Sequence, residues 1–228
     1  TRYISVTGVQ TCALPISTTR LCLEAIEAWA DAGGAKGDGG PARVLDVGCG
    51  SGILGIGALL LGAGELFGID TDPIAVEATL ANAATNALGE RIRARRGTLP
   101  SGETGRWDLV AANLIASLLI ALATELRDEL RPGGRLLASG IFIDREAEVR
   151  AAFEAAGLTV TDRHGEGDWV ALDYALPEAA QVSGLSQDEL DAVLTPNVMR
   201  WFKVHNRDLT SPEIDAYRLE VEDRRRRM

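Results

Sequence analysis

Short apolar runs alternate with longer stretches of helical period from Arg43 to about Tyr174. Runs such as Arg43-Val44-Leu45 and Leu66-Phe67-Gly68-Ile69 are compact enough to be buried strands, and the pattern predicts strands at 43–47, 65–70, 91–96, 108–113 and 135–141. Between them the spacing predicts helices at 53–62, 73–87, 115–130 and 144–156. Strand and helix in alternation is the pattern of a parallel sheet covered on both faces. Two further strands, 158–162 and 169–174, follow with only a glycine-rich turn between them, which predicts an antiparallel hairpin. Upstream, Leu21, Ile26 and Trp29, with Cys22 and Ala25 on the same side, predict an amphipathic helix from Thr18 to Ala32. Gly33 to Pro41 reads as a glycine-rich linker with little reason to order. Asp72-Pro73 is a helix start, a capping side chain followed by proline at the first helical position, and Pro132-Gly133-Gly134 breaks the chain before the next strand.

The first strand runs into Asp46-Val47-Gly48-Cys49-Gly50-Ser51-Gly52, and a helix starts at Ile53. A glycine-dense strand-to-helix turn lets a ligand approach bare backbone, because no Cβ blocks it and positive φ costs little. The helix N-terminus beyond it is expected to offer unpaired N–H groups. Asp70 closes the next strand about twenty residues past Gly48, a spacing that suits a carboxylate holding ribose hydroxyls. Together these predict a nucleoside-containing cofactor. Gly50 to Gly55 also satisfies the dinucleotide fingerprint, so an NAD-dependent dehydrogenase stays as an alternative. Against it, the glycines begin earlier, at Gly48, with Asp46 still on the strand. The two histidines, His164 and His205, define no second substrate domain. The glycine run resembles the cofactor loop of class I S-adenosylmethionine-dependent methyltransferases.

The 228 residues suffice for one full domain with appendages, and 46% apolar with 25% charged residues is ordinary for a globular chain. No apolar run reaches the length of a membrane span. A formal net charge of −10 disfavours a phosphate-binding surface and suits a basic protein partner better. Cys12, Cys22 and Cys49 have no metal-ligand spacing and no disulfide framework, so no metal is expected and a reducing cytoplasm is the default.

The two ends read differently from the middle. Val6 to Ile16 has no helical or strand period and resembles the in-frame translation of a short-read sequencing adapter, so 1–16 is read as foreign. Residues 17–176 are the expected catalytic domain and 177–228 a helical tail. In that tail Ser186-Gln187-Asp188-Glu189 is a capping box, Thr195-Pro196 interrupts, and Val198 to Phe202 suggests a short helix. Ser211-Pro212-Glu213 starts another, which ends in Arg224 to Arg227, read as a solvated charged end.

Thr18-Thr19-Arg20-Leu21-Cys22-Leu23, the glycine run, Gly68-Ile69-Asp70-Thr71-Asp72-Pro73, Ala112-Asn113-Leu114-Ile115-Ala116 and Gly140-Ile141 occur in the order found in the ribosomal protein L11 methyltransferases. The chain resembles that family from about Thr18 to Tyr174. The resemblance implies a Rossmann-like class I methyltransferase fold, a mostly parallel seven-stranded sheet ending in an antiparallel hairpin. It also implies contacts to S-adenosylmethionine from Thr19, Gly48, Gly50, Asp70 and Asn113, the last with a positioning role toward cofactor or amine. Enzymes that methylate planar amides or bases end the fourth strand in Asn-Pro-Pro-Tyr; here Asn113 precedes Leu114-Ile115, which points to an amine. The implied reaction is methyl transfer to lysine side chains or an N-terminal amine of a basic ribosomal protein, with no direct nucleic-acid contact and no membrane. Another protein lysine, a small amine, or a non-catalytic cofactor-binding module are the alternatives. No general base is identified: Asp46 and Asp72 read as structural, His164 as a solvated turn residue, and Cys49 as a position that must be small. The family's Gly-Thr-Gly-x-His-Pro segment and its N-terminal substrate-recognition domain do not precede Thr18, so weaker cofactor binding and loss of substrate selection are expected.

Overall fold

A computed structural model describes residues 16–37, 39–103 and 105–177. The adapter reading (apart from Ile16) and nearly all of the tail reading concern residues outside these. Seven strands form one sheet: β1 (Arg43–Val47), β2 (Glu65–Asp70), β3 (Ile92–Arg96), β4 (Trp107–Asn113), β5 (Leu130–Phe142), β6 (Thr159–Glu166) and β7 (Trp169–Ala175). The helices are α1 (Ile16–Asp31), α2 (Ile53–Leu60), α3 (Pro73–Thr85), α4 (Ala116–Ala121), α5 (Ala123–Glu129) and α6 (Glu146–Ala155).

The strand order is β3-β2-β1-β4-β5-β7-β6. The first five strands are parallel, and β7 pairs antiparallel with both β5 and β6. Alternating side chains explain the layers, since successive residues of a strand point to opposite faces. Leu45 and Val47 join Trp107, Leu119, Leu126, Val149 and Phe153 on the face covered by α4, α5 and α6. Val44 joins Leu21, Ile26, Ile56 and Leu66 on the face covered by α1 and α2. Both faces are buried, which is why the strands read as apolar runs and not as strict alternation. β3 closes one edge, and its Arg93 and Arg95 lie over the Phe67 ring, so the edge strand carries charge. On the same face, where Trp107 stacks on Phe67, a buried carboxylate, Glu129, accepts from the Ser101 amide at 2.6 Å, the Ser101 hydroxyl and the Trp107 indole at 3.1 Å.

Several boundaries differ from the sequence reading. The single helix expected at 115–130 is two, because Leu122 leaves helical geometry at φ −101 and ψ 8. No glycine or proline marks that bend; it lets Leu119, Ala123 and Leu126 all sit against the sheet. Pro132-Gly133-Gly134 interrupts pairing as a bulge within β5, between the Trp107–Leu130 and Leu109–Arg135 partners. The glycine-rich linker is anchored: Ala35 is buried, and a Cβ on Gly34 would lie 2.2 Å from the Trp29 indole. Asp72 caps α3 as expected, accepting from the Ile74 amide at 2.9 Å.

Candidate active site

The strand order reverses between β1 and β4, and in open α/β sheets ligands bind at the carboxyl ends of the strands flanking such a point. The glycine run leaves β1 there, Asp70 ends the neighbouring β2, and Asn113 ends β4. The structure therefore brings Gly48, Gly50, Asp70 and Asn113 to one end of the sheet.

The turn is built by its glycines. Gly48, Gly50 and Gly52 take φ of +73, +54 and +78, a region that costs any residue with a Cβ. A Cβ on Gly52 would lie 2.9 Å from Thr79 Cγ2, and one on Gly48 2.5 Å from Leu114 Cδ2. Leu114 thus lies against the bare face of Gly48. Cys49 is buried, and its Sγ would stand 3.1 Å from a Cβ on Gly68, so both positions must stay small.

The turn spends amides of its own within the protein, and at the helix N-terminus, expected to offer unpaired N–H groups, the Gly55 amide is taken. Gly48 and Cys49 donate to the Ile69 carbonyl at 2.8 and 3.1 Å, and Gly52 donates to Cys49 at 2.7 Å. Gly50 donates to Asp70 Oδ2 at 3.0 Å, and Gly55, in the first turn of α2, to Asp46 Oδ2 at 3.2 Å. Those donors are spent on holding the loop, which removes them as a pyrophosphate cradle. The loop itself carries Asp46 and no lysine or arginine, a field that favours a cation. Burial pushes the Asp46 carboxyl up to about 7, with the nearby Asp70 charge adding to the rise and the Gly55 amide opposing it. Burial, followed by the Asp46 charge, pushes the Cys49 thiol up to about 12, so it is no nucleophile.

Asp70 is half-buried and oriented by two backbone donors, Gly50 to Oδ2 and Asp72 to Oδ1 at 2.9 Å. A carboxylate has about four lone-pair sites, so two remain for a diol. Asn113 donates from Nδ2 to Thr18 Oγ1 at 3.4 Å, while its Oδ1 is sealed from solvent without a partner. Such an orphaned acceptor is costly unless a ligand supplies the donor. Thr19 is buried in α1; its neighbour Thr18, fully buried, is the residue that meets Asn113.

Three supporting residues were given no role in the motif reading. Thr79 donates to the Gly50 carbonyl at 3.0 Å, and Asn82 donates to the Ser51 carbonyl at 2.8 Å. They stand three apart on α3 and so share the face turned to the loop. Thr18 is the third. The fold also corrects His164: it lies on the edge strand β6, with Nε2 2.8 Å from Asp173 Oδ2, and is not a solvated turn residue. A cavity of about 380 Å³ lined by Trp29, Asp108, Arg131, Arg135 and Asp173 shares no residue with the glycine loop.

A doubly wound sheet ending in an antiparallel hairpin, with its site at the β1–β4 reversal, defines a Rossmann-like class I methyltransferase fold. The sequence model of the family described as Ribosomal protein L11 methyltransferase (PrmA) matches residues 16–176. The chain belongs to that family. It is 40% identical over 185 residues to the ribosomal protein L11 methyltransferase of Chloroflexus aurantiacus, covering 71% of this chain and 54% of the relative. It is 42% identical over 156 residues to that of Pelotomaculum thermopropionicum, covering 68% and 48%. A solved ribosomal protein L11 methylase from Lactobacillus delbrueckii subsp. bulgaricus superposes with a TM-score of 0.64 at 28% identity, over 72% of this chain and 81% of that one. An RNA methyltransferase from Salinibacter ruber, solved with S-adenosyl-L-homocysteine, shares the fold at a TM-score of 0.53 and 20% identity, over 75% of this chain and 95% of that one. The chain spans about half the length of the curated relatives it matches.

Proposed function

We propose that this protein transfers methyl groups from S-adenosylmethionine to amine nitrogens, lysine side chains or an N-terminal amine, of a basic ribosomal protein, L11. Family membership over residues 16–176 supports the assignment. The structural observation that carries it is the conjunction of Asp70, with acceptor capacity left for a diol, and the orphaned Asn113 Oδ1 at the same end of the sheet. Asp70 holds the ribose, Gly48 and Gly50 present bare backbone to the methionine part, and Thr19 and Asn113 complete the contacts. The bound cofactor supplies an electrophilic methyl group on a positively charged sulfur. The Asp70 carboxylate suits that charge, and the spent loop amides speak against a dinucleotide.

The chain's own residues contribute orientation and exclusion of water. Leu114, lying against Gly48, contributes apolar surface at the end of β4. An acidic chain of net charge −10 is matched to a basic protein and not to nucleic acid. Among the described residues no helix is long and apolar enough to cross a membrane, in keeping with work in the cytoplasm on a ribosomal protein.

Calorimetric titration with S-adenosylmethionine, with NAD as control, followed by mass spectrometry of L11 incubated with both, tests this reading. Saturable binding and mass increments of whole methyl groups on L11 are expected. Binding of NAD in place of the methyl donor overturns it.

A further inference from the structure

Asn113 is held from one side. Its Nδ2 reaches Thr18 Oγ1 on α1, and its Oδ1 has no partner. On the neighbouring strand Gly140, at φ +81, packs close to that oxygen and to the Leu114 backbone, where a side chain would not fit. A Cβ on Gly140 would lie 3.2 Å from Asn113 Oδ1 and 2.5 Å from the Leu114 carbonyl oxygen. A side-chain amide has two orientations that differ in which atom faces forward. Here the NH₂ end meets the Thr18 hydroxyl, which leaves the oxygen on the other side.

We infer that Thr18 is a positioning residue: its hydroxyl fixes the Asn113 amide so that Oδ1 faces the site as an acceptor for an N–H of the substrate amine. The inference rests on the methyl transfer proposed above. A neutral amine that gives one N–H to Oδ1 keeps its lone pair free and aimed away from that bond. The lone pair forms the new nitrogen–carbon bond as the carbon–sulfur bond breaks, and the breaking pair stays on sulfur. The surplus proton on nitrogen then passes to water. Thr18 touches none of the reacting atoms. It acts through Asn113, from a fully buried position where a hydroxyl is retained at the cost of its desolvation.

The test compares Thr18→Val, which keeps the shape and removes the hydroxyl, with Thr18→Ser, which restores it. The first readout is independent of turnover: the Asn113 side-chain NH₂ resonances of the full chain, assigned by their loss in Asn113→Asp. Slow hydrogen exchange is expected in wild type and Thr18→Ser, and faster exchange with a shifted signal in Thr18→Val. Identical Asn113 signals in wild type and Thr18→Val overturn the inference. The second readout is kinetic, with thermal melts confirming the fold. Thr18→Val is expected to lower kcat on the ribosomal protein about tenfold, the scale of one lost hydrogen bond, with KM for S-adenosylmethionine within about twofold. Thr18→Ser is expected to recover it. Equal losses in both variants, tracking a loss of melting temperature, mean a packing role only and overturn the positioning role. A wild-type chain that turns over no ribosomal protein while the Asn113 signature holds refutes the proposed reaction and leaves the Thr18–Asn113 relationship standing.

Discussion

Asp70 Oδ2 accepts the Gly50 amide at 3.0 Å, so the acid that ends the second strand also fixes the middle of the glycine turn that leaves the first. One carboxylate therefore shapes the loop and, in the proposed function, also faces the ribose. Asp70→Ala removes acceptors from Gly50 and Asp72 together with the diol contact. At about 1.5–3 kcal/mol for each hydrogen bond to a charged group, S-adenosylmethionine affinity is expected to fall on the order of a hundredfold. Asp70→Asn is expected to lose less, since its amide oxygen still serves one backbone donor. Calorimetry on both variants checks this, and unchanged affinity in Asp70→Ala removes Asp70 from the cofactor site.

Asp46 gives a pH dependence of stability with a definite sign. Burial raises its folded-state carboxyl to about 7, above the ordinary value of 3.8. Between those values the folded chain keeps a proton that the unfolded chain has released, so stability falls as pH rises through that window. Below it both states are protonated and the slope vanishes. Asp46→Asn is expected to flatten the slope. Urea unfolding at about pH 5 and about pH 8 measures it, and equal slopes in the two proteins contradict the assignment.

Thr79→Val keeps the packing against Gly52 and removes the donor to the Gly50 carbonyl. The expected loss is about 1–3 kcal/mol for a buried carbonyl left short of a donor. A weaker affinity for S-adenosylmethionine should accompany it, because the loop is no longer pinned to α3. Chemical denaturation and calorimetry read the two effects separately.

Gly140→Ala should be more severe than a surface glycine change. Positive φ alone costs about 1–2 kcal/mol, and the new methyl meets the Leu114 backbone oxygen, which no rotamer change can move. Lower thermal stability and loss of methyl transfer are expected together. Gly157→Ala, at φ +88 with nothing within 4 Å of the added carbon, is the control that pays the conformational cost alone.

Glu129→Ala is expected to destabilise by about 3 kcal/mol or more, since it strands the Ser101 amide in the core and leaves the Trp107 indole N–H only the Ser101 hydroxyl. Melting temperature measures it, with cofactor affinity per folded molecule unchanged.

The parallel sheet was legible because its strands are apolar on both faces and its turns carry glycine or proline at the breaks. That Gly48, Asp70 and Asn113 gather at one end of the sheet was legible too, since each ends or follows a strand. What the chain's pattern did not reveal is who holds them. Thr79 and Asn82 look like ordinary helix residues until α3 is laid against the loop. The spending of the loop's own amides depends on tertiary closure, which local sequence does not encode. The bend at Leu122 had no glycine or proline to announce it, because packing of Leu119 and Leu126 decides it. Thr18 and Thr19 are adjacent in sequence, and only the docking angle of α1 tells which one faces Asn113.

The seat of α1 has a consequence for how the protein is made. Leu21, Cys22 and Ile26 pack with Leu137 of β5 and Ala171 of β7, and Arg20 pairs with Glu166 of β6. Those strands leave the ribosome well after α1, by roughly 5–30 s at common rates of synthesis. Through that interval α2 and β1 cover only part of the helix, and the rest of its apolar stripe stays exposed to chaperones and to other nascent chains. The stripe closes when the hairpin arrives, so the last strands of the sheet also complete the seat of the first helix.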